Sequence, residues 1–378
     1  MTALRSVVLA GGGTAGHVMP ALAIAEALVA AGRPRELVGF VGSQRGMEST
    51  LIPAAGYRFD ALPLRNFSRQ RSLTAIVGNV RAAGAQLAAL AGSWKLVGRR
   101  STAAVVSVGG YASVPPVLAA WIKRVPVLAV SYDAHAGLAS RLAGRIAVAN
   151  AVAFAPPALP RARVTGAPVR PSLLAVDRVN GRGAARAALD IAPGRFFVFV
   201  VGGSLGSGTL NTATEEFVAA NAARTDLAVR QVVGERNLAT APPSRSGIDD
   251  NGMPNGIVHQ VIGFESHMDV ALTAADVVIA RAGASTVAEL AALAVPSVLI
   301  AWPDAAADHQ RANARWLANA GAAIAIEDAE WNGARMTRVV DGLRSSPTDL
   351  DAMASAARSL DARHGAERIA ELIEEHAR

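Results

Sequence analysis

VVLAGGGTAGH (Val7–His17), FVFVVGGSLGSGTLN (Phe197–Asn211) and VVIARAGASTVAEL (Val277–Leu290) repeat one device, an apolar strand running into a Gly-rich turn that opens a helix. Glycine lets the backbone turn sharply and approach a ligand, and the first helical N–H groups have no intrahelical partner. Such turns bind anionic oxygens. One copy says little. Three, spread over both halves of the chain, point to a two-domain α/β enzyme that holds a phosphorylated substrate.

Outward from these turns, apolar runs at Leu37–Val41, Ala104–Val108, Pro126–Val130 and Ile146–Phe154 alternate with helical sequence up to about Val164. That rhythm predicts a doubly wound parallel sheet. Pro156, Pro157, Pro160, Pro168 and Pro171 then interrupt it and mark the inter-domain crossing. A second alternation begins at Phe196 and continues through Leu227–Val233, Gly256–Ile262, Val277–Ile279 and Ser297–Ala301. The expected domains are 1–166 and 167–351, with an Ala-rich helical tail from about 352 to 378 packing back on the first. Turn formers without periodicity between Thr240 and Gly256 predict a mobile surface loop.

A chain of 378 residues exceeds one ordinary core. Hydrophobic residues make up 51% of it but aromatics only 4%, so the apolar mass is the Ala, Val and Leu of buried parallel strands and their covering helices. The absence of cysteine excludes disulfides, thiolate catalysis and Cys-ligated metal centres. The sequence enters a core strand at Ser6 without a basic-then-apolar leader, and no run of about 18 uncharged apolar residues occurs, so a cytosolic protein that spans no membrane is expected. A net charge of +7, from 37 basic and 30 acidic residues, favours anionic partners: phosphates, anionic lipid or nucleic acid. Arginines between Arg65 and Arg100 come without a recognition helix, zinc finger or aromatic platform, which argues against nucleic acid.

Gly11, Gly13 and Gly16 satisfy G-x-G-x-x-G, but the second strand runs out through Val41-Gly42-Ser43-Gln44 without the acidic residue that a dinucleotide ribose requires. A Gly-Lys-Ser/Thr phosphate loop is also missing. His17 stands at the start of the following helix, where the dipole disfavours imidazolium; it is either a general base or a capping residue. Thr286-Val287-Ala288-Glu289 has the spacing of a capping box, and Glu289 alternatively accepts hydrogen bonds from ribose hydroxyls. Arg281 could neutralise a diphosphate, and His309, Gln310 and Asn313 suit sugar hydroxyls or a solvated helix start. Asp349-Leu350-Asp351 opens a late helix instead of ending a strand, so no metal site and no cofactor is expected.

Six segments, GGGTAGHVMPALAIAEAL, SVGGYASVPPVLAAW, TGAPVR, GGSLGSGTLN, RAGASTVAELAALAVPSVLI and DHQRANARWLANAGAA, together resemble the MurG family of glycosyltransferases, in the same order and over nearly the whole chain. The resemblance implies the GT-B fold, two Rossmann-like doubly wound α/β domains facing across a cleft. It also implies metal-independent inverting transfer of N-acetylglucosamine from UDP-N-acetylglucosamine to lipid I, giving lipid II. Carried over by position, Glu289 corresponds to the ribose ligand, Ala284, Ser285 and Thr286 to the loop facing the diphosphate, and Phe264 and Glu265 to backbone that meets the uracil. Arg170, Ser204, Asn211, Arg281, His309 and Gln310 fall at other donor-site positions; Thr14, Ala15 and Gly16 lie with His17 on the acceptor-side loop and are also expected to contact UDP-N-acetylglucosamine.

The family's His-Glu-Gln-Asn is here Val130-Ser131-Tyr132-Asp133, which leaves Asp133 as the nearest replacement for the missing glutamate. His17 and Asp133 are the catalytic candidates. Arg65, Phe67, Arg69, Arg71, Leu73, Ile76, Arg81, Trp94, Lys95, Arg99, Arg100, Trp121 and Lys123 suggest docking on an anionic inner-leaflet surface, at the cytoplasmic face of the cell membrane. The competing functions are transfer to another lipid or natural-product acceptor, UDP-N-acetylglucosamine 2-epimerisation and nucleotide-sugar sensing.

Overall fold

The computed structural model describes residues 5–12, 15–64, 73–99, 102–155, 159–203, 205–249, 251–305 and 308–377; for 15, 73–81, 98 and 99 it describes the backbone only. The chain divides into two compact units, Met1–Pro171 with His364–Arg378, and Ser172–Arg363.

In the first unit, strands β1 (Ser6–Ala10), β2 (Val38–Ser43), β3 (Arg58–Leu62), β4 (Thr102–Ser107), β5 (Val127–Ser131), β6 (Ala149–Val152) and β7 (Ala162–Val164) form one sheet in the order β3-β2-β1-β4-β5-β6-β7. Every pairing is parallel. In the second unit, β8 (Phe196–Val201), β9 (Leu227–Val232), β10 (Val258–Ile262), β11 (Val277–Arg281), β12 (Ser297–Ala301) and β13 (Ala323–Glu327) form a sheet in the order β10-β9-β8-β11-β12-β13, again all parallel. Each unit is therefore a Rossmann-like doubly wound domain. The central strands are buried throughout, which is why they read as unbroken apolar runs. The strand order reverses between β1 and β4 and again between β8 and β11, and the crevice beyond the carboxyl ends at such a point is where ligands bind. All three Gly-rich turns emerge there.

Three strands were not legible as apolar runs. β3 exposes Arg58 and Ala61 at a sheet edge, β7 is a three-residue edge strand, and β13 alternates buried and open positions at the far edge. The segment between Thr240 and Gly256 is irregular, as expected, but it is pinned to β10. Arg245 and His259 exchange backbone hydrogen bonds of 2.7 and 2.9 Å, and the Asp249 carboxylate accepts from the amides of Asn251 and Met253.

The polypeptide re-enters the first unit at His364. Helix Gly365–His376 packs on helix Ala15–Ala30 and is tied down by two bidentate ion pairs, Arg33 with Glu374 (both 2.6 Å) and Arg163 with Glu375 (2.6 and 2.9 Å). At its start a side chain at Gly365 would place Cβ 2.1 Å from the Ala167 carbonyl oxygen, so glycine allows the backbones to touch. Helix Pro347–Ser359 stays with the second unit, against helices Ala284–Ala292 and Gly333–Ser345.

His259 on β10 is buried, with Nε2 2.9 Å from the Gln231 Oε1. Burial, with Arg245 nearby, pushes its imidazole down from 6.5 to about 4. Between those values the unfolded chain takes up a proton that the folded one refuses. Stability is thus fully present above pH 6.5 and is lost as pH falls toward 4, by about 3 kcal/mol. Denaturant melts between pH 7 and 4 should show this slope, and His259→Gln should flatten it.

Candidate active site

The turn after β1 is shaped from beneath. A Cβ on Gly11 would lie 2.4 Å from the Val108 Cγ2, and one on Gly12, where φ is +148°, 2.1 Å from the Glu48 Oε1. Glu48 is fully buried and accepts the Ser43 amide at 2.9 Å. This carboxylate thus supports the loop after β2 from below, so it does not serve as the missing ribose ligand. The turn opens helix Ala15–Ala30, and His17 projects from its first turn against the backbone of Gly109 and Gly110. Its Nδ1 lies 2.5 Å from the Tyr132 hydroxyl, which also contacts the Gly16 carbonyl at 2.8 Å and the Val108 carbonyl at 3.2 Å. Tyr132 is buried directly after β5, and desolvation, with the Asp133 charge adding to it, pushes its hydroxyl well above its ordinary 10. Asp133 itself is half-buried. Arg170, near the end of this unit's first segment, is half-buried, with its charge acting on Glu26. Of the acceptor-side residues, Thr14 lies outside the described residues, Ala15 is the first helical residue and Gly16 supplies the carbonyl that Tyr132 meets.

The second unit holds a cavity of about 530 Å³ at its own strand-order reversal, a size suited to a small ligand. One wall is the turn after β8. Gly206 has φ +72°, and a Cβ there would lie 2.0 Å from the Val233 carbonyl oxygen. Asn211 and Asn237 both donate to that same oxygen, at 3.1 and 2.7 Å, so Asn211 holds two loops together as well as standing at a donor-site position. Ser207 caps helix Gly208–Ala220 through the Leu210 amide, and Ser204 lies outside the described residues.

The other wall is the turn after β11. Helix Ala284–Ala292 has Gly283 as its N-cap with no side-chain cap bond, so Ala284, Ser285 and Thr286 supply its first three amides and Thr286 is not the cap of a capping box. Gly283 takes that place because its backbone already has the extended conformation a cap requires, φ −63° and ψ 144°. At the far end, the half-buried Arg178 donates to the carbonyls of Leu272, Ala275 and Ala294, which anchors this helix against its neighbour.

Arg281 lines the cavity but is ion-paired with Asp328, whose carboxylate also accepts from the Thr209 hydroxyl at 3.1 Å. The Gln310 Oε1 accepts the Trp302 amide at 3.0 Å, which turns the side chain into the same wall; His309 precedes it as the first residue of helix His309–Asn319. The cavity wall therefore gathers Arg281, Thr286 and Gln310 of the expected residues. Asn211, Phe264, Glu265, Ala284, Ser285, Glu289 and His309 are not part of it. Glu289 is half-buried on the second turn of its helix. Phe264 is half exposed, whereas the Glu265 side chain is buried in an ion pair with Arg230 (2.6 Å) and accepts the His267 amide, which leaves its backbone for any ligand. Sequence reasoning missed Arg236, Trp302, Asp304 and Asp328, all in the cavity wall. Trp302, Asp304 and Asp328 follow the carboxyl ends of β12 and β13, and that position was the available signal. Among the described residues, no cluster of His, Asp or Glu is arranged to hold a metal ion.

Two family models match the chain, the glycosyltransferase family 28 N-terminal domain over residues 7–152 and its C-terminal domain over 197–373. The UDP-N-acetylglucosamine–N-acetylmuramyl-(pentapeptide) pyrophosphoryl-undecaprenol N-acetylglucosamine transferase of Clavibacter sepedonicus is 36% identical, covering 97% of this chain and 95% of its own. That of Moorella thermoacetica is also 36% identical, with 97% and 98% covered. Among solved structures, MurG of Acinetobacter baumannii superimposes with a TM-score of 0.68 at 25% identity, covering 98% of this chain and 99% of that one. The kitacinnamycin glycosyltransferase reaches the same TM-score at 17% identity, a likeness of fold. The chain thus has the GT-B fold and belongs to glycosyltransferase family 28 and, within it, to the MurG family.

Proposed function

We propose that this chain is an inverting transferase that moves N-acetylglucosamine from UDP-N-acetylglucosamine to the muramoyl 4-hydroxyl of lipid I, giving lipid II for peptidoglycan. The observation that carries this reading is the convergence of two Gly-rich helix starts, Gly202–Gly208 and Gly283–Thr286, on one cavity of about 530 Å³ in a chain of this family. Helix amides meet the charge that develops on the departing diphosphate. Arg281, held by Asp328, and Arg236 place guanidinium donors at the wall, beside the carboxylates of Asp304 and Asp328. With its Oε1 occupied by the Trp302 amide, Gln310 keeps its amide nitrogen to donate to sugar hydroxyls. In the reaction the acceptor oxygen bonds to the anomeric carbon, the bond from that carbon to the phosphate oxygen breaks, and UDP leaves with the electron pair. The acceptor proton passes to His17, with Asp133 as the alternative base. The decisive test is labelled UDP-N-acetylglucosamine with and without a short-chain lipid I analogue in detergent. Acceptor-dependent UDP release and a labelled lipid product are expected; conversion of the donor alone would make it an epimerase, and binding without turnover a sensor or a transferase for another acceptor.

Glu289 is read as the ligand of the ribose hydroxyls. Loss of charge-assisted hydrogen bonds in Glu289→Ala should weaken UDP binding by roughly 10–100-fold in calorimetry. Unchanged affinity would reduce Glu289 to a helix residue.

No helix among the described residues is long and apolar enough to cross a membrane. Peripheral docking at the cytoplasmic face is supported by the exposed Trp94, Trp121 and Ile122 beside Lys123, whose ammonium lies 4.3 Å above the Trp94 ring. Arg65, Phe67, Arg69, Arg71 and Arg100 lie outside the described residues. At low salt, sedimentation with anionic vesicles should exceed that with neutral ones, and Lys123→Glu should lower it roughly tenfold or more. Equal sedimentation with both vesicle types would remove this reading.

A further inference from the structure

We propose that Tyr132 is a positioning residue whose hydroxyl fixes His17 in the tautomer with its proton on Nδ1, so that Nε2 carries the lone pair. Its catalytic meaning rests on the reading of His17 as the general base; the tautomer itself does not.

Three partners surround the Tyr132 oxygen: the Gly16 carbonyl at 2.8 Å, the Val108 carbonyl at 3.2 Å and the His17 Nδ1 at 2.5 Å. The hydroxyl has one proton, and carbonyl oxygens only accept. If that proton went to Nδ1, two carbonyl oxygens would face a lone-pair oxygen inside a buried site. The proton therefore goes to a carbonyl, and Nδ1–H donates to the Tyr132 oxygen. A phenolate is excluded by the same two carbonyls and by burial, which holds the hydroxyl neutral.

Glycines leave the room that the imidazole occupies. Gly109 and Gly110 have φ of +91° and +77°, and a Cβ on either would come 3.2 Å from a ring carbon of His17. A ring turned over would present carbon to the hydroxyl and lose the bond. When Nε2 takes the acceptor proton, the Nδ1–H bond to Tyr132 is already in place to support the imidazolium, the service that a carboxylate gives histidine in other sites. Tyr132 stands where the family pattern has glutamine, next to Ser131 at the glutamate position. This chain thus orients its histidine with a neutral phenol.

The test is a long-range proton–nitrogen correlation spectrum of protein labelled with ¹⁵N-imidazole histidine, recorded at pH 8. The signal of His17 is the one absent from His17→Ala. The expected result is the Nδ1–H pattern in the wild type and a shift toward Nε2–H in Tyr132→Phe. Turnover should fall roughly 10–100-fold at unchanged KM for UDP-N-acetylglucosamine. An Nε2–H pattern in the wild type overturns the proposal, and so does a Tyr132→Phe protein whose His17 keeps Nδ1–H. The wild-type spectrum decides even if the variant does not fold. Wild-type turnover in His17→Ala, with the Nδ1–H pattern present, would instead overturn the reading of His17 as base and leave its positioning by Tyr132 intact.

Discussion

Turnover in His17→Ala is expected to fall by roughly 10²–10⁴-fold while the affinity for UDP stays at the wild-type level. The two readouts separate because the cavity proposed for the nucleotide is lined by residues of the second unit, whereas His17 belongs to the first. Removing the ring deletes a proton acceptor and vacates the space between Tyr132 and the Gly109–Gly110 turn, without touching the walls of the nucleotide cavity. Steady-state kinetics with a soluble lipid I analogue, paired with calorimetry for UDP, checks both halves. Wild-type turnover would transfer the role of base to Asp133.

Gly206→Ala should act in the opposite sense, abolishing measurable donor binding and lowering the stability of the second unit by about 2–5 kcal/mol. The left-handed conformation costs a residue with a side chain about 1–2 kcal/mol, and forcing a methyl group into packed surroundings about 1–3 kcal/mol more. The obstacle here is backbone, since the Val233 carbonyl oxygen is 2.0 Å from the new Cβ and is already held by Asn211 and Asn237. Neither loop can yield without the other, so the turn proposed to hold the phosphates has to move. Calorimetry and thermal melts of Gly206→Ala check both effects, and the melt of Gly208→Ala, where a Cβ meets nothing within 4 Å, separates collision from the mere loss of a glycine in the stability term.

The sequence made the two sheets and their three Gly-rich turns legible because buried parallel strands and sharp turns each constrain residue type locally. Edge strands such as Arg58–Leu62 escaped because only one side of the ladder is paired and their side chains are partly in water. Within the site, Thr286 and Glu289 had the spacing of a capping box, yet the backbone of Gly283 fills the cap position, a distinction of dihedral angle that residue spacing does not carry. The pairing of Arg281 with Asp328 joins the ends of different strands, and that of His17 with Tyr132 spans 115 positions. Such contacts depend on strand order. Tyr132 could be noticed in the sequence only as a departure from glutamine; its partner became visible when β4 and β5 brought Val108 and Tyr132 beside the helix that starts after β1.

The two units also differ in continuity. The second is one uninterrupted stretch, Ser172–Arg363, whereas the first is completed only by residues 364–378, through Gly365 against Ala167 and the pairs Arg33–Glu374 and Arg163–Glu375. During synthesis the second unit therefore has its full complement of residues while the unit carrying His17 still waits for its closing helix. A chain cut after Arg363 would keep every residue of the second unit yet leave the first without the helix that closes it.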